Sequence, residues 1–293
     1  MTIRRQTDRP RSWMFVPGNK QRFLEKAAGS EADAVLLDLE DGVLPEDKQQ
    51  GREMIAATLA AGWSGPLLYV RVNALSTPWL DDDLKAIVGP GLQGICLTKV
   101  NGADEVREVS ARLARLEAER GLPAGSVRIM AAIESAVGLI NAHAVACADP
   151  RVSALIFGAE DYALDLGLSA RREGEAAELI HARSTIVVAA AAAQVWSVDG
   201  VFPNLDDPDG LLKDTIQARR LGFTAKSTFN PRQLADLNRI FSPQPEELEY
   251  ARKVADAFEQ AQQRGDASVA VGGQLVDRPI LLRALAILKT QEA

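Results

Sequence analysis

Cysteine and histidine are scarce in this chain, with two of each among 293 residues. Cys96 lies in a strand-like run and Cys147 near the end of a helical one, and we predict two buried, reduced thiols without a disulfide. His143 and His181 fall within helical patterns, away from any serine or cysteine nucleophile signature. This scarcity argues against a zinc site and against acid–base chemistry based on histidine.

Long hydrophobic runs and an excess of positive charge are also missing. No run of about 18 apolar residues occurs, so no membrane-spanning helix is predicted. Residues 1–10 are polar and basic without an apolar core, which predicts a disordered arm and a cytoplasmic protein. The 33 basic residues are outnumbered by 40 acidic ones, giving a net charge of −7. This balance argues against nucleic acid or an anionic membrane as the main partner.

A glycine-rich turn of the GxGxxG type is absent, which disfavours an open dinucleotide-binding sheet. The chain instead alternates short apolar runs with helical patterns. The runs are continuous, as is typical of parallel strands covered on both faces. Eight such units predict an α/β fold, a closed (β/α)8 TIM-type barrel. The strands are predicted near residues 13–16, 34–39, 67–72, 94–97, 128–133, 154–157, 194–198 and 225–227.

The barrel is predicted to cover residues 11–242, and residues 243–293 are predicted to form a C-terminal lid of helices and a hairpin. The hairpin is placed at 269–276, because Gly272 and Gly273 suit a two-residue turn between two short apolar runs. We expect this segment to fold over the barrel mouth. Helices are predicted at 19–28, 103–120, 135–148, 175–193 and 209–221 in the barrel and at 245–264 and 280–288 in the lid.

Charged residues follow several of the predicted strands, and two carboxylates form the strongest pair. Glu134 follows the fifth strand, and Asp161 follows the sixth. The carboxyl ends of parallel barrel strands meet at one face, where enzymes of this fold keep their chemistry. One or two carboxylates with water and substrate oxygens suit Mg²⁺. The alternative is that both carboxylates cap helices in loops.

Arg71 ends the third strand, where a buried guanidinium needs a partner. It is predicted to pair with Asp38 or Glu40, to contact a substrate carboxylate or carbonyl, or to do both. The acidic group of Asp38, Glu40 and Asp41 either surrounds the ligands of the metal or anchors Arg71 and Lys99 across the barrel, and the electrostatic support is favoured.

Three lysines and one aspartate are predicted to have structural and not catalytic roles. Lys99 and Lys226 either form Schiff bases, as in another type of aldolase, or form salt bridges, and the salt bridge is favoured for each. Asp47 and Lys48 are predicted to lie on a solvated face.

Taken with their neighbours, these residues resemble the citrate lyase β-subunit family of the HpcH/HpaI aldolase superfamily, which includes malyl-CoA and citramalyl-CoA lyases. The matching motifs keep their order over about residues 11–280, and together they are specific although each alone is weak. They are RSWMFVPGN at 11–19, DLED at 38–41, VRVN at 70–73, AAIES at 131–135, GAEDY at 158–162, NPRQ at 230–233 and VDRP at 276–279.

The resemblance implies a TIM-type barrel with Mg²⁺ held by Glu134 and Asp161 and with Arg71 in contact with the substrate. It further implies a homo-oligomer, a trimer or hexamer, in which the segment bearing Asp277 lids the site of a neighbouring subunit. It also implies a CoA or acyl-carrier thioester substrate at the barrel mouth. Basic residues of the first loops are candidates for its phosphates, namely Lys20, Arg22, Lys26 and Lys48, of which Lys26 and Lys48 are preferred.

The sequence has AKS at 225–227 where family members often have Gly-Lys-Ser. It has Asn230 before Pro231 where many malyl-CoA lyases have histidine, and the citrate lyase branch shares this asparagine. These differences leave the acyl group open. The predicted function is a Mg²⁺-dependent carbon–carbon lyase acting on a malyl-, citramalyl- or citryl-type thioester, with Asp277 exchanging a proton with the acetyl carbon. The alternatives are the β subunit of a citrate lyase complex, a class II pyruvate aldolase and a non-enzymatic scaffold.

Overall fold

Eight parallel strands close into a barrel in the computed structural model, which describes residues 9–169 and 176–291. Each strand pairs with the next along the chain, and β8 pairs with β1. The predicted (β/α)8 barrel is therefore confirmed, and all eight strands lie at or within two residues of their predicted bounds. They are β1 (Ser12–Pro17), β2 (Ala34–Asp38), β3 (Leu67–Val72), β4 (Gly94–Leu97), β5 (Arg128–Ile133), β6 (Val152–Phe157), β7 (Trp196–Asp199) and β8 (Ala225–Thr228).

Ten helices accompany these strands in the described residues up to Phe241. Four of them, α2, α3, α7 and α10, were not predicted. The predicted helix at 175–193 begins at Ile180, and residue 175 lies outside the described residues. The helices are α1 (Gln21–Ala28), α2 (Lys48–Ala60), α3 (Leu80–Ile87), α4 (Ala103–Glu119), α5 (Ala136–Ile140), α6 (Ala142–Ala146), α7 (Ala159–Asp165), α8 (Ile180–Ala193), α9 (Pro208–Leu221) and α10 (Leu234–Phe241).

The single helix predicted at 135–148 is wrong, because the chain breaks there into α5 and α6. Asn141 separates the two helices with φ −91° and ψ 2°, outside the helical minimum. Its side-chain amide donates a hydrogen bond to the backbone oxygen of Asn101, at 2.8 Å. Ser135 caps α5, as predicted, by accepting a hydrogen bond from the backbone N–H of Gly138.

Alternate residues of each strand point into the barrel and fill it. At the end where the strands begin, the Trp13 and Tyr69 rings meet edge to face with centroids 5.1 Å apart. Further along the strands the inward positions include Phe15, Ala132 and Ile156. The interior is therefore a packed core, and the inward positions beyond it open at the carboxyl ends of the strands.

A buried ion pair stabilises the barrel at the end opposite the carboxyl ends of the strands, where β5 and β6 begin. Arg151 donates two hydrogen bonds of 2.6 Å to the two carboxylate oxygens of Glu117, which is 1% exposed. Burial raises the pKa of Glu117, but the hydrogen bonds from Arg151 and from the backbone N–H groups of Val127 and Gly125 outweigh it and bring the pKa to about 2. The surrounding hydrogen-bond donors thus stabilise the charged form of Glu117 over its neutral form.

The described residues from Ile240 onward form a second compact unit. It contains α11 (Pro245–Gln263), β9 (Val269–Val271), β10 (Gln274–Val276) and α12 (Arg278–Leu288). The two strands pair antiparallel, which confirms the predicted hairpin, and its Gly272 and Gly273 have φ of 58° and 80°. Val254 and Phe258 of α11 pack with Val276 and Ala284 in a small core. The predicted lid role of this unit stays a prediction.

Both cysteines are free, but only one of the two is buried as predicted. Cys96 points into the barrel core, and burial raises the pKa of its thiol. Cys147 follows α6 and is exposed, so its predicted burial is wrong. Its neighbour one helical turn earlier, His143, is exposed as well, with its Nε2 3.6 Å from the Cys147 sulfur. Within residues 9–169 and 176–291 no helix is both long and apolar enough to span a bilayer.

We predict that Glu117→Gln destabilises the fold by about 3 kcal/mol near neutral pH, because it leaves the buried Arg151 without its counter-charge. A carboxyl whose folded pKa lies below its unfolded value contributes stability above the unfolded pKa and loses it as the pH falls. The difference in the free energy of unfolding between wild type and Glu117→Gln should therefore shrink from about pH 5 down to the folded pKa of about 2.

Urea unfolding followed by circular dichroism across this pH range measures the difference. The exposed Glu119→Gln on the same helix is the matched control and should change stability little at any pH. A difference between wild type and Glu117→Gln that stays constant with pH would contradict the assigned pKa.

Candidate active site

A cavity of about 230 Å³ opens at the carboxyl ends of the barrel strands. Glu134 and Asp161 both line it, as does Arg71, so the structure brings these three predicted site residues together. Its wall also contains several apolar side chains that come from the barrel interior. The other lining residues are Phe15, Asp41, Cys96, Ala132, Ile156, Phe157, Gly158, Ala159, Glu160, Val201, Ser227 and Phe229.

Glu134 follows β5 and continues its inward face, two residues beyond Ala132. Its side chain is buried, with 7% exposed, and its Oε2 accepts a hydrogen bond of 2.9 Å from the backbone N–H of Lys99. The space for this carboxylate exists because residue 158 is glycine. A Cβ at Gly158 would lie 2.2 Å from the Glu134 Cγ and 2.5 Å from its Oε1. The glycine at position 158 therefore determines where the carboxylate of Glu134 can lie.

Asp161 lies in the first turn of α7, four residues after the end of β6, and is half-buried. Burial, together with the negative charges of Asp161 and Glu40, raises the pKa of Glu134 to about 7, against the lowering effects of Arg71 and of the hydrogen bond from the Lys99 backbone. A cation between the two carboxylates would stabilise the charged form of Glu134.

The donor set fits a hard divalent cation. Among the described residues, no three or more histidine, cysteine, aspartate or glutamate side chains converge as a metal-binding group. A zinc site normally has three or four protein ligands, so this pair fits zinc poorly. Mg²⁺ keeps several waters and takes one or two carboxylates together with substrate oxygens. Glu134 and Asp161 are therefore the residues that could hold Mg²⁺, with substrate and water completing its coordination.

Arg71 is paired with acidic side chains and also lines the cavity. Asp38 and Arg71 are register partners on β2 and β3, and the guanidinium donates to both Asp38 oxygens, from Nε at 2.7 Å and from Nη2 at 2.6 Å. Its Nη1 lies 3.2 Å from Glu40 Oε2. Burial lowers the pKa of Arg71, but these carboxylates outweigh it and raise the pKa. The predicted ion pair is therefore present, and Arg71 still lines the cavity.

Lys99 links Glu40 to Glu134. Its Nζ is 2.6 Å from Glu40 Oε1 and 3.7 Å from Asp41 Oδ2, so the favoured salt bridge is confirmed. Its backbone adopts φ 54°, in the left-handed region, and this aims its N–H at Glu134. A non-glycine residue in this region is strained and is held there by its surroundings. The acidic group therefore supports the site as predicted, through a lysine across the barrel.

The salt bridge favoured for Lys226 is also present. Its Nζ lies 2.5 Å from Asp199 Oδ2 and 2.6 Å from Asp214 Oδ2, and the side chain is buried. Arg183 pairs with the same two carboxylates, so a cluster of two cations and two anions fixes the ends of β7 and β8 behind the cavity wall.

Lys48 is buried, and its predicted place on a solvated face is wrong. Its Nζ donates to the backbone oxygens of Leu39 and Glu40 and to Asn73 Oδ1, at 2.6 to 2.8 Å, and lies 5.1 Å from the centre of the Trp79 ring. Burial lowers the pKa of Lys48, and Glu40 counteracts this. All three ammonium hydrogens have protein acceptors, which favours a structural role. Binding of a phosphate by Lys48 stays a prediction.

Lys26 is exposed beside a second, larger cavity of about 560 Å³ between β1, α1 and the segment after β8. The cavity wall is mostly apolar and includes Phe23 and Phe229, which are about half exposed. Phe229 also lines the first cavity, and its ring lies 4.9 Å from that of Phe15. A basic side chain beside an apolar groove is consistent with the predicted contact to a phosphate-bearing thioester.

Asp277 belongs to the second compact unit and is exposed. It is the N-cap of α12, and its carboxylate accepts a weak hydrogen bond of 3.4 Å from the backbone N–H of Ile280. Asp277 thus caps α12 in this structure. A catalytic role of Asp277 stays a prediction.

Several residues of the cavity were not singled out from the sequence. Gly158, Val201 and Phe229 carry no charge and therefore attract no chemical interpretation by themselves. The signal that could have found two of them is the inward alternation of the strands. It runs from Ile156 to Gly158 and from Ser227 to Phe229, one position beyond each strand end.

Known proteins similar to this chain share its family. The family model described as HpcH/HpaI aldolase/citrate lyase matches residues 11–231. The chain is 38% identical to citrate lyase subunit beta of Leuconostoc mesenteroides subsp. cremoris over 97% of this chain and 93% of that protein. It is 33% identical to a (3S)-malyl-CoA thioesterase of Cereibacter sphaeroides over 97% of this chain and 95% of that protein.

A solved structure is similar over nearly the whole length. The structure of protein CitE from Mycobacterium tuberculosis, in complex with magnesium, acetoacetate and coenzyme A, matches with a TM-score of 0.79 and 31% identity. The match covers 96% of this chain and 98% of that chain.

We predict that Lys48→Met lowers the free energy of unfolding by about 2 kcal/mol, because it removes three buried hydrogen bonds and leaves Asn73 Oδ1 without a donor. Lys26→Met, the same substitution at an exposed lysine, should change stability by less than about 0.5 kcal/mol. Chemical denaturation of both variants beside wild type measures this. Equal stabilities of the two variants would contradict the structural role of Lys48.

Proposed function

The chain belongs to the HpcH/HpaI aldolase/citrate lyase family, and we propose from this membership and the site that it is a Mg²⁺-dependent carbon–carbon lyase. Its substrate would be a 3-hydroxy-3-carboxyacyl thioester of coenzyme A, and its products a 2-oxo acid and an acetyl thioester. The observation that carries the proposal is the pair of carboxylates, Glu134 and Asp161, lining one cavity with the guanidinium of Arg71.

Glu134 and Asp161 would hold the cation, and Lys99 keeps Glu134 in place through its backbone N–H. When bound, the cation supplies Lewis-acid polarisation of the substrate hydroxyl and carboxylate oxygens, which lowers the pKa of that hydroxyl. Arg71 would donate its remaining N–H groups to the reacting oxygens, since Asp38 and Glu40 already fix its orientation. The site thereby stabilises negative charge on oxygen as the carbon–carbon bond breaks.

The thioester itself would extend from this cavity past Phe229 into the larger apolar cavity, where Lys26 is positioned to contact a phosphate. The similarity to the CitE structure that holds coenzyme A supports this ligand class. In this proposal Lys48 contributes to the barrel rim, and any contact of Lys48 with phosphate is secondary to its three protein hydrogen bonds.

Asp277 would exchange a proton with the acetyl carbon, as the acid in cleavage and the base in condensation. We propose that it does so from a neighbouring subunit of a homo-oligomer, a trimer or hexamer. The exposure of Asp277 at the start of α12 supports this role, since its carboxylate is open to a partner.

A thioesterase is the second candidate function, favoured by the similarity to the (3S)-malyl-CoA thioesterase. A thioesterase would release free coenzyme A and the hydroxy acid, whereas a lyase releases acetyl-CoA and a 2-oxo acid. Two further alternatives are the β subunit of a citrate lyase complex, which needs a carrier-protein thioester, and a pyruvate aldolase, which would cleave free 4-hydroxy-2-oxo acids.

We predict Mg²⁺-dependent release of acetyl-CoA from at least one of malyl-, citramalyl- and citryl-CoA, and its loss in Glu134→Gln and Asp161→Asn. Removing one of two anionic ligands should weaken the cation strongly, so saturating Mg²⁺ should raise the melting temperature of wild type but of neither variant. Chromatography of the products separates acetyl-CoA from free coenzyme A and thus lyase from thioesterase.

The matched control for this experiment is Glu160→Gln, an exposed acid on the same cavity between Ala159 and Asp161. It should keep the stabilisation by Mg²⁺. Near wild-type turnover of either ligand variant at limiting Mg²⁺ would contradict the assignment of the ligands.

We predict that Asp277→Asn lowers turnover at least about 100-fold, the usual contribution of a positioned acid or base, with little change in the affinity for Mg²⁺. Asparagine caps helices as well as aspartate does, so α12 should remain stable and the loss should report the acid alone. Mixing inactive Asp277→Asn with inactive Glu134→Gln under conditions of subunit exchange should restore part of the activity.

Fluorescence energy transfer between labelled subunits verifies the exchange. Asp266→Asn, at an exposed aspartate of the same unit, is the control and should remain active. Verified exchange without recovery would rule out a site shared between subunits.

A further inference from the structure

The carboxylate of Glu134 is held by a backbone segment with an unfavourable conformation. The N–H of Lys99 donates to Glu134 Oε2 at 2.9 Å from a backbone with φ 54°. The next residue, Val100, donates its N–H to the backbone oxygen of Ala132 at 3.2 Å, so the chain rejoins β5 directly after this turn. Because the left-handed region is unfavourable for any residue with a Cβ, the surroundings of Lys99 must keep it there.

The side chain of Asn101 contacts the segment on both sides of this carboxylate. Its Nδ2 donates to the backbone oxygen of Lys99 at 3.2 Å, and its Oδ1 accepts a hydrogen bond of 2.5 Å from the hydroxyl of Ser135. Ser135 directly follows Glu134 in the chain. The donor end and the acceptor end of one amide thus join the residue that binds the carboxylate to the residue that follows it.

The backbone of Asn101 is itself fixed from two directions. Its N–H donates to Glu105 Oε2 at 2.7 Å, and its carbonyl oxygen accepts from the side-chain amide of Asn141 at 2.8 Å. Asn141 lies at the break between α5 and α6, so this break is the point from which the chain reaches Asn101. Two neighbouring connections of the barrel therefore hold one asparagine in place.

Helix α5 packs closely on the same loop, and its glycine permits this. A Cβ at Gly138 would lie 2.5 Å from the backbone oxygen of Val100. The N–H of Gly138 donates to Ser135 Oγ at 2.9 Å, which leaves the Ser135 hydroxyl to donate its hydrogen to Asn101. The hydrogen bonds therefore have one consistent direction, from Gly138 through Ser135 and Asn101 to Lys99.

We propose that Asn101 is a positioning residue for the cation site. It keeps the Lys99 N–H and the Glu134 carboxylate in a fixed relation, so the carboxylate is oriented before Mg²⁺ binds. The inference rests on the part of the proposed function that assigns Glu134 to Mg²⁺, and it is independent of the reaction and of the acyl group. Hydrogen-bonded partners that orient a metal-binding side chain typically contribute about 10- to 100-fold to metal affinity.

Melting temperatures at increasing Mg²⁺ concentration give the affinity of each variant without any turnover. Asn101→Ala removes both side-chain contacts and should weaken Mg²⁺ binding at least about tenfold. Asn101→Asp keeps the shape and the acceptor for Ser135, but it places a carboxylate oxygen against the backbone oxygen of Lys99. It should also bind Mg²⁺ at least about tenfold more weakly.

The aspartate variant separates orientation from charge. An added negative charge near the site would by itself attract a cation, so weaker binding by Asn101→Asp reports lost orientation. Tighter binding by Asn101→Asp overturns the inference. So does binding by both Asn101 variants within about twofold of wild type, since the affinity would then not depend on this amide.

Asn238→Ala is the matched control. Asn238 is a half-buried asparagine like Asn101, and its amide donates at 2.8 Å to the backbone oxygen of Glu31, between α10 and the loop before β2. Its melting temperature without Mg²⁺ reports the loss of such a hydrogen bond, and its affinity for Mg²⁺ should equal that of wild type. An equal loss of affinity in Asn238→Ala would reveal a general effect of stability and overturn the inference.

A second variant tests the same assembly with Asn101 intact. Gly138→Ala places a methyl group against the Val100 oxygen and should push α5 away from the loop, which again weakens Mg²⁺ binding. Gly89→Ala is its control, because the added methyl would meet no atom closer than 3.9 Å. Wild-type affinity of Gly138→Ala overturns the inference, even where the Asn101 variants are too unstable to be measured.

The acetyl-CoA assay on wild type separates this inference from the proposed reaction. Stabilisation by Mg²⁺ without acetyl-CoA release from any of the three thioesters would contradict the lyase. The positioning role would then still be decided by the Asn101 variants. Failure of Mg²⁺ to stabilise wild type would contradict the ligand assignment and overturn both.

Discussion

The ion pair between Asp38 and Arg71 is the contact on which the organisation of the site depends. Its two partners are opposite each other in the register of β2 and β3, so closing the barrel brings them together. Asp38 also accepts hydrogen bonds from the backbone N–H groups of Glu40 and Gly42 and thereby shapes the loop after β2. That loop presents Glu40 to Lys99, whose backbone holds the carboxylate of Glu134. One continuous set of contacts thus runs from β2 to β5.

Such a buried pair contributes little net stability, because desolvation offsets much of the Coulomb attraction. Its value lies in orientation, since a bidentate contact fixes the plane of the Arg71 guanidinium at the cavity edge. The pair of Glu117 and Arg151 lies at the start of β5 and β6, far along the strands from the cavity, and serves the fold. The Glu117–Arg151 pair therefore stabilises the barrel at the end opposite the cavity, whereas the Asp38–Arg71 pair orients a guanidinium at the cavity itself.

The strands could be predicted from the sequence because parallel barrel strands are buried on both faces and form continuous apolar runs. The carboxylates and Arg71 could be placed at one face for the same reason, once the strands were known. The burial of Lys48, the exposure of Cys147 and the break at Asn141 depend on contacts between residues distant in the chain. No local pattern encodes them. The apolar side chains of the cavity wall were missed because, in the sequence, they cannot be distinguished from ordinary core residues.

Gly158 gives the metal-binding hypothesis an evolutionary consequence. Its missing side chain is the room in which Glu134 lies, so any other residue would displace that carboxylate without touching the acids themselves. A relative that retained both acids but replaced this glycine would keep the barrel and lose the ligand geometry. A side chain at residue 158 is therefore expected to disturb the proposed ligand pair even where both acids are retained.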